Sequence, residues 1–224
     1  MTRVASITLC LLLALPAPAR APQPWRDSYR SRLEILALLQ SLNANILAAS
    51  SATRSLESWC GEHHMAEPAK VVAVQVRGAA KAPSAEQLAR LDVHDPSEVR
   101  YRRVELRCGT HLLSEADNWY VPSRLSPEMN RQLDTTDIAF GRAVQALHFQ
   151  RRTLSAQLLW SPLPDGWEVP GAAWPEASGK ALPVPHEVLR HQAVLVLPDG
   201  TPISEVVETY TEAVLAFPQP HAAR

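Results

Sequence analysis

The sequence predicts an α+β domain in which helices cover a mainly antiparallel sheet of about five or six strands. A long helical pattern occupies the first part of the mature chain, over residues 25–54. Runs with the two-residue alternation of β-strands follow it. Two pairs of these runs are separated by short turn sequences, which indicates antiparallel hairpins. The helices that face the sheet are expected to come from the N-terminal third and the middle of the chain.

Length and composition narrow the number of domains and the classes of partner that the chain can have. The chain has 224 residues, which suits one domain with a short tail, and its 46% of hydrophobic residues is enough for a core. The formal net charge of −1 gives no electrostatic reason to expect nucleic acid or an anionic membrane as a partner. We expect the protein to be a monomer.

The first residues are typical of a secretory signal. Arg3 precedes an apolar run over residues 4–15, and small residues at 17–19 or 19–21 supply a cleavage site. The run is too short to span a membrane comfortably, although an uncleaved anchor is the alternative. We expect a periplasmic or secreted protein with no membrane contact after signal removal. The expected organisation is a signal peptide over residues 1–21, a single domain over 26–217 and a frayed tail over 218–224.

Two cysteines, Cys60 and Cys108, remain once the signal is removed. In an oxidising compartment two thiols allow one disulfide. Two buried free thiols are the alternative, and the sequence does not decide between them.

The elements of the N-terminal half follow from periodicity and capping residues. Apolar residues recur on one side of the pattern over residues 25–54, as on a helix that packs against a core. A second helix is predicted to begin within residues 50–53 and to end near Gly61. A strand is predicted over residues 70–77, and a short helix over 84–91.

The central stretch predicts a hairpin followed by two helices. Over residues 101–108 the side chains alternate, so that Arg102 shares a face with Val104 and Leu106 while Arg103 lies on the other face. A turn over 108–111 leads to a second strand over 112–121. Beyond it, Ser126 is predicted to cap one helix, and Asp137 to cap a short one that runs through residues 140–142.

The C-terminal part predicts three more strands. Residues 147–160 have strand features, although part of this run also allows a helix. Residues 161–185 are rich in proline and are expected to form a surface connection, with a lid over a site as the alternative. A turn over residues 198–201 joins predicted strands over 190–197 and 203–215.

Several spacings in the central stretch point to a known family. Arg103 stands five residues before Cys108, Pro122 stands fourteen residues after that cysteine, and a Gly141-Arg142 helix start follows. In these features the chain resembles the chorismate pyruvate-lyase family, whose fold is shared by ligand-sensing domains of some bacterial transcription regulators. The resemblance extends from residues 51–53 to Glu208 and covers most of the mature chain.

The resemblance implies a cofactor-free elimination of pyruvate from chorismate or a related aromatic precursor, with no metal. It implies that Arg103 binds the substrate carboxylate and that Glu208, on the last strand, faces the hydroxyl and ether side. Main-chain N–H groups of Ala52 and Phe140 would contact the ligand. Glu205 is a rival for Glu208, because the register counted from the preceding turn is one residue longer here than in the family.

Two further positions depart from the family. Asp117 and Asn118 stand where the family carries Gly-Arg, and we place both among the substrate-binding residues. A carboxylate there would repel an anion, so Asp117 could instead bind a cationic or hydroxylated ligand. Export would also separate the protein from chorismate, a cytoplasmic metabolite. The alternatives are therefore a non-catalytic exported binding protein for a small aromatic acid, or an interaction protein whose pocket has closed. The structural alternative for Arg103 and Glu208 is an ion pair for each.

Overall fold

The computed structural model describes residues 24–219. The predicted signal segment over residues 1–21 and all but the first two residues of the predicted tail lie outside this range. Within it, no helix has the length and apolar character that a transmembrane span requires.

One six-stranded sheet forms the centre of the fold, and each of its strand pairings is antiparallel. This confirms the predicted α+β class and the predicted hairpins. The strands lie in the order β1-β2-β3-β6-β5-β4, so β1 and β4 are the edges. Their bounds are β1 (Val71–Gln75), β2 (Arg100–Cys108), β3 (His111–Tyr120), β4 (Gln150–Leu158), β5 (Glu187–Val196) and β6 (Pro202–Thr211).

Two helices begin at serines that the sequence predicts, because Ser84 and Ser126 each accept a hydrogen bond from a first-turn N–H through their hydroxyl. The helical pattern predicted over residues 25–54 divides into one helix capped by Ser28 and a second that begins at Ala52, within the start predicted over residues 50–53. The last short helix is preceded by Ala139, not by the predicted cap Asp137, and it has no side-chain cap. The bounds are α1 (Tyr29–Ala48), α2 (Ala52–Glu62), α3 (Ala85–Leu91), α4 (Pro127–Thr135) and α5 (Phe140–Ala143).

The main core lies between α1, α2 and one face of the sheet. Four residues of α1 at helical spacing are fully buried there, and each such side chain contributes about 1.5–3 kcal/mol by leaving water. They pack in one cluster with residues from α2, β2 and β6. The buried members from α1 are Ile35, Leu39, Leu42 and Ile46. The helix α3 belongs to a separate, smaller cluster with Trp119.

A disulfide between Cys60 and Cys108 joins the last turn of α2 to the end of β2. Both residues are fully buried in the main core. This disulfide, which the sequence left undecided, therefore links α2 and β2, and both contribute residues to the pocket described below.

Two C-terminal strands, β4 and β6, are shorter than predicted. The last strand ends at Thr211 instead of residue 215, because the Thr211 hydroxyl accepts a hydrogen bond from the N–H of Ala213 and starts a short 3-10 turn over Glu212–Leu215. The edge strand β4 has most of its side chains exposed. Residues 161–185 contain no helix or longer strand, apart from one bridge between Ala181 and Arg26.

Candidate functional site

The register of the central strands decides which side chains can meet. Arg102 lies opposite Asn118 on β3, and Asn118 lies opposite Val206 on β6. In the same sheet Ala116 lies opposite Glu208. Residues paired across antiparallel strands share a face, as do alternate residues along one strand. Arg102, Asn118 and Glu208 therefore point to the same side of the sheet, which is the side covered by α1 and α2.

Arg103 lies on the opposite face, so the expectation that Arg103 and Glu208 meet in one hollow is corrected. Its Nη1 donates to Oδ1 of Asp117 at 3.0 Å, and its Nη2 lies 3.5 Å from Oε2 of Glu115. The physical reason is the two-residue period of a strand, since moving by one residue changes the face. Arg103 takes the structural role that the sequence had allowed as its alternative.

Asp117 is on that opposite face with Arg103 and is held by three donors. Tyr101 donates its hydroxyl to Oδ1 at 2.6 Å, and Nζ of Lys81 lies 3.2 Å from Oδ2. Burial works to raise the pKa of Asp117, but the hydrogen bonds from Tyr101 and Lys81 outweigh it and lower that pKa. Burial raises the pKa of Tyr101 to about 12, and the hydrogen bond to the Asp117 carboxylate acts in the same direction. Asp117 is therefore not placed to contact a ligand beside Glu208.

Glu205 also faces away from Glu208. It is fully buried, and Arg90 of α3 donates to both of its carboxylate oxygens, at 2.7 and 2.9 Å. Gln87 and Gln192 donate to Oε1 as well. The hydrogen bonds from Arg90 and Gln87 hold α3 against the sheet and the one from Gln192 lies within the sheet, so Glu205 is a structural residue.

A pocket opens on the helix-covered face, between the sheet, α2 and α5. Its space, counted together with the opening to solvent, is about 520 Å³. Four of the six predicted site residues line it, namely Ala52, Asn118, Phe140 and Glu208. The other lining residues are mostly apolar: Ser50, Ser51, Thr53, Arg102, Val104, Leu106, Ala116, Ala139, Gly141, Phe149, Arg151, Leu195 and Val206.

Arg102 is a buried cation in this pocket and has no anionic partner among residues 24–219. The residue is 3% exposed, and its Nη2 donates to the carbonyl oxygens of Ile138 at 3.0 Å and Thr136 at 3.4 Å. Its Nε has no hydrogen-bond partner, and no carboxylate of a described residue lies within 4.0 Å of the guanidinium. Burial lowers its pKa. A buried charge without a counter-charge is costly, and a ligand carboxylate would offset that cost.

Glu208 is paired with a second buried guanidinium. Arg151 of β4 donates from Nη2 to Oε2 of Glu208 at 2.6 Å, and both side chains are less than 10% exposed. The hydroxyl of Tyr210 donates to the same oxygen at 3.3 Å. Burial opposes the charge on Arg151, but Glu208 outweighs it and the pKa of Arg151 is raised. The ion pair leaves Oε1 of Glu208 available to accept a hydrogen bond from a ligand hydroxyl.

His191 lies on the neighbouring strand β5, on the same face as Glu208. It lies opposite Glu208 and is fully buried. Its Nε2 lies 2.8 Å from Oδ1 of Asn43, an acceptor, so the ring proton is on Nε2. Burial lowers the pKa of His191 to about 4, which keeps the ring neutral at physiological pH.

The first turn of α2 contributes main-chain donors. Ala52 and Thr53 line the pocket, and the N-cap residue Ser51 makes no side-chain cap hydrogen bond. The first N–H groups of a helix have no intrahelical partner, and the helix dipole adds positive potential there. The predicted involvement of Ala52 through its main chain is consistent with this placement.

A second compartment, which we call the mouth, adjoins the pocket. The two share Ser50, Ser51, Gly141 and Phe149 as walls. The mouth adds four polar residues: Arg54, Arg142, Gln145 and His148.

Sequence reasoning missed Arg102 and Arg151. For Arg102 a signal was present, because its alternation with Val104 and Leu106 placed it on the apolar face of β2. Arg151 lies in a polar run, and its partner Glu208 is 57 residues away, so no local pattern marks it.

Comparison with known proteins gives one strong relative. The chain is 51% identical over 199 residues, 88% of its length and 84% of the relative's, to "Uncharacterized protein y4mC" of Sinorhizobium fredii. No family model matches the sequence.

Among solved structures, PhnF from Mycobacterium smegmatis superimposes with a TM-score of 0.50 at 12% identity, covering 92% of this chain and 95% of that one. A GntR-family transcriptional regulator from Enterococcus faecalis gives a TM-score of 0.40 at 14% identity, covering 66% and 98%. At these identities the likeness concerns the fold alone. The fold is that of the chorismate lyase-like domains of GntR-type regulators.

Proposed function

The chain belongs to the family of protein y4mC from Sinorhizobium fredii, and we propose that its pocket binds a small aromatic carboxylate through Arg102. The observation that carries the proposal is the buried, unpaired guanidinium, whose Nε has no partner. A guanidinium holds a carboxylate through parallel hydrogen bonds and stays charged at any working pH.

The remaining walls favour a flat apolar ring with a hydroxyl group. Phe140, Phe149 and Val206 supply apolar surface, as an aromatic ring requires. Glu208 lines the same pocket and can accept a hydrogen bond from a hydroxyl on such a ring. Because Glu208 is ion-paired with Arg151, it is better suited to accepting that bond than to donating a proton.

Calorimetric titration with 4-hydroxybenzoate tests the proposal, and adjacent arginines provide matched variants. Arg102→Gln is expected to weaken binding roughly tenfold to a hundredfold, the range for a lost charged hydrogen bond of about 1.5–3 kcal/mol. Arg103→Gln, one residue along on the opposite face, should leave the affinity unchanged. Equal effects of the two substitutions, or the absence of binding to any hydroxybenzoate, would contradict the proposal.

The second candidate is the lyase reaction itself, because Arg102 and Glu208 line the same pocket without any need for a cofactor. The chemistry would be loss of pyruvate from chorismate to give 4-hydroxybenzoate. In it, Arg102 and the α2 N-terminus would stabilise developing anionic charge. Incubation with chorismate should then release pyruvate, and Arg102→Gln and Glu208→Gln should each abolish the release. Binding of 4-hydroxybenzoate without pyruvate release would favour the binding protein.

The place of action is also part of the proposal. We infer that the protein is exported, supported by the signal-like first residues and by the disulfide between Cys60 and Cys108, a bond that persists in oxidising compartments. Fractionation of cells that express the full chain tests this, with the mature N-terminus read by mass spectrometry. Its expected monomeric state stays a prediction that sedimentation would check.

A further inference from the structure

Three charged residues line the pocket within the described range 24–219, and together they carry one net positive charge. Arg102 and Arg151 are the cations, and Glu208 is the anion. Glu208 forms its ion pair with Arg151, so Arg102 is the cation that remains without a counter-charge. After this internal pairing, the pocket can neutralise one anionic group of a ligand.

The polar groups that adjoin these three residues are neutral. Asn118, which lies opposite Arg102 and lines the pocket, has an uncharged amide. His191 lies opposite Glu208, and burial lowers its pKa to about 4, so its ring carries no charge at neutral pH. Burial also raises the pKa of Tyr210 well above its usual value, which keeps its hydroxyl protonated. The charge balance of the pocket therefore depends on the two arginines and on Glu208.

Arg151 keeps an unused donor although its charge is neutralised. Its side chain is 5% exposed, and its Nε has no hydrogen-bond partner in the part of the chain that the structure describes, as is also true of Nε of Arg102. The two arginines are thus alike in burial and in their unpaired Nε, and they differ in whether a carboxylate neutralises them. An ionised ligand group beside Arg151 would meet the negative charge of Glu208 at the same place. Because the walls are mainly apolar, like charges repel each other more strongly here than in water.

We propose that Glu208 limits the ligand to one negative charge, because it neutralises Arg151, which would otherwise bind a second anionic group. The carboxylate of the ligand lies at Arg102, and the end of the ligand at Glu208 is neutral, as a hydroxyl or an amide group is. Such a group can donate to Oε1 of Glu208 and accept from Nε of Arg151, whereas an ionised carboxylate has no proton to donate. This inference rests on the proposed function, since it assigns the second polar contact of the same ligand. Chorismate carries two carboxylates, so the inference favours the binding protein over the lyase.

Two probes of nearly the same shape separate the effect of charge from that of fit. At neutral pH 4-carbamoylbenzoate carries one negative charge, and terephthalate carries a second carboxylate in place of the amide. Titration calorimetry on the full chain measures both affinities, with 4-hydroxybenzoate as the reference ligand. The variant Glu208→Gln removes the negative charge and leaves Arg151 unpaired. Glu205→Gln is the matched control, because it removes a buried, ion-paired carboxylate from the opposite face of the same strand.

The wild-type chain should bind 4-carbamoylbenzoate about tenfold more tightly than terephthalate, or more, the effect of one hydrogen bond to a charged group. Glu208→Gln should reverse this preference, because terephthalate can then pair with both arginines. Glu205→Gln should keep the wild-type preference. Since Glu208→Gln leaves a buried cation without its partner and lowers stability, its melting temperature is measured as well. Terephthalate should raise that temperature by more than 4-carbamoylbenzoate does, because the tighter ligand stabilises the folded state more.

Three results would overturn the inference alone, provided that 4-hydroxybenzoate binds to the wild-type chain. The first is a wild-type affinity for terephthalate equal to or higher than that for 4-carbamoylbenzoate. The second is a preference for 4-carbamoylbenzoate that survives in Glu208→Gln, and the third is a Glu208→Gln chain that terephthalate neither binds nor stabilises. In each case the proposed pocket function stands. If the wild-type chain binds neither 4-hydroxybenzoate nor any other hydroxybenzoate, the proposed function fails and this inference fails with it.

Discussion

Removing the disulfide between Cys60 and Cys108 tests whether the link between α2 and β2 holds the fold and the pocket together. The variant is Cys60→Ala with Cys108→Ala. Alanine is preferable to serine, because both sites are fully buried and a hydroxyl there would have no partner. The separation of the two cysteines is 48 residues. For a loop of this size the chain-entropy estimate gives about 4 kcal/mol of lost stability.

That loss converts into a clear shift of the melting temperature. For a domain of this size 1 kcal/mol corresponds to about 2–4 °C, so we expect a fall of about 8–16 °C. Differential scanning calorimetry of the wild type and the double variant measures it. Reductant should have no effect on the double variant, which serves as the control for reduction of the wild type.

Binding should weaken in the same variant. The disulfide fixes α2, whose first turn lines the pocket, to β2, which carries Arg102. We expect a smaller loss of 4-hydroxybenzoate affinity than in Arg102→Gln, because the guanidinium is still present. A melting temperature within about 3 °C of the wild type would refute the stability reasoning. Unchanged affinity would show that α2 keeps its position without the bond.

Three other predictions concern residues outside the ligand contacts. Glu205→Gln breaks the ion pair with Arg90 and should lower the free energy of unfolding in urea by about 1–3 kcal/mol, since Arg90 is one-third exposed. His191 has a pKa lowered to about 4 by burial, so the unfolded chain binds more protons between pH 6.5 and 4. The free energy of unfolding of the protein should therefore fall as the pH drops through that window, by up to about 1.4 kcal/mol per pH unit. His191→Gln should reduce this dependence of stability on pH. Arg124 donates to the backbone carbonyls of Leu91, Asp92 and Pro202, so Arg124→Ala should cost about 2–3 kcal/mol.

Each of these has a contrary result. An unchanged urea midpoint for Glu205→Gln would mean that the attraction within the ion pair only offsets the cost of removing the two charges from water. A pH profile of the wild type that matches that of His191→Gln would show that the imidazole titrates normally in the folded state. An Arg124→Ala variant of wild-type stability would mean that water satisfies the three carbonyls.

Local patterns predicted the elements of the fold, because strands and caps are set by nearby residues. The alternation in β2 placed Arg102 and Arg103 on their correct opposite faces, but it could not tell which face carries the pocket. That choice depends on where α1 and α2 pack, which is a long-range property. The spacing shared with the lyase family favoured Arg103, which is one residue away from the buried guanidinium.

Contacts between residues far apart in the sequence explain the other differences between the predictions and the structure. Glu208 was found because apolar neighbours surround it on one strand, whereas its partner Arg151 sits in a polar run on another strand. A long-range contact also explains why Ala139, and not the predicted Asp137, precedes α5. The carbonyl of Asp137 accepts a hydrogen bond from Ala73 of β1, which extends the chain there. The predicted signal over residues 1–21 stays a prediction.

The position of β4 has a consequence for the motions of the pocket floor. This strand has a neighbour on one side only, and its outward main-chain amides face solvent along most of its length. Hydrogen exchange should therefore be fastest there among the six strands. Because Arg151 lies on this strand, we expect local opening of β4 to separate Arg151 from Glu208 and to leave that buried carboxylate without its counter-charge.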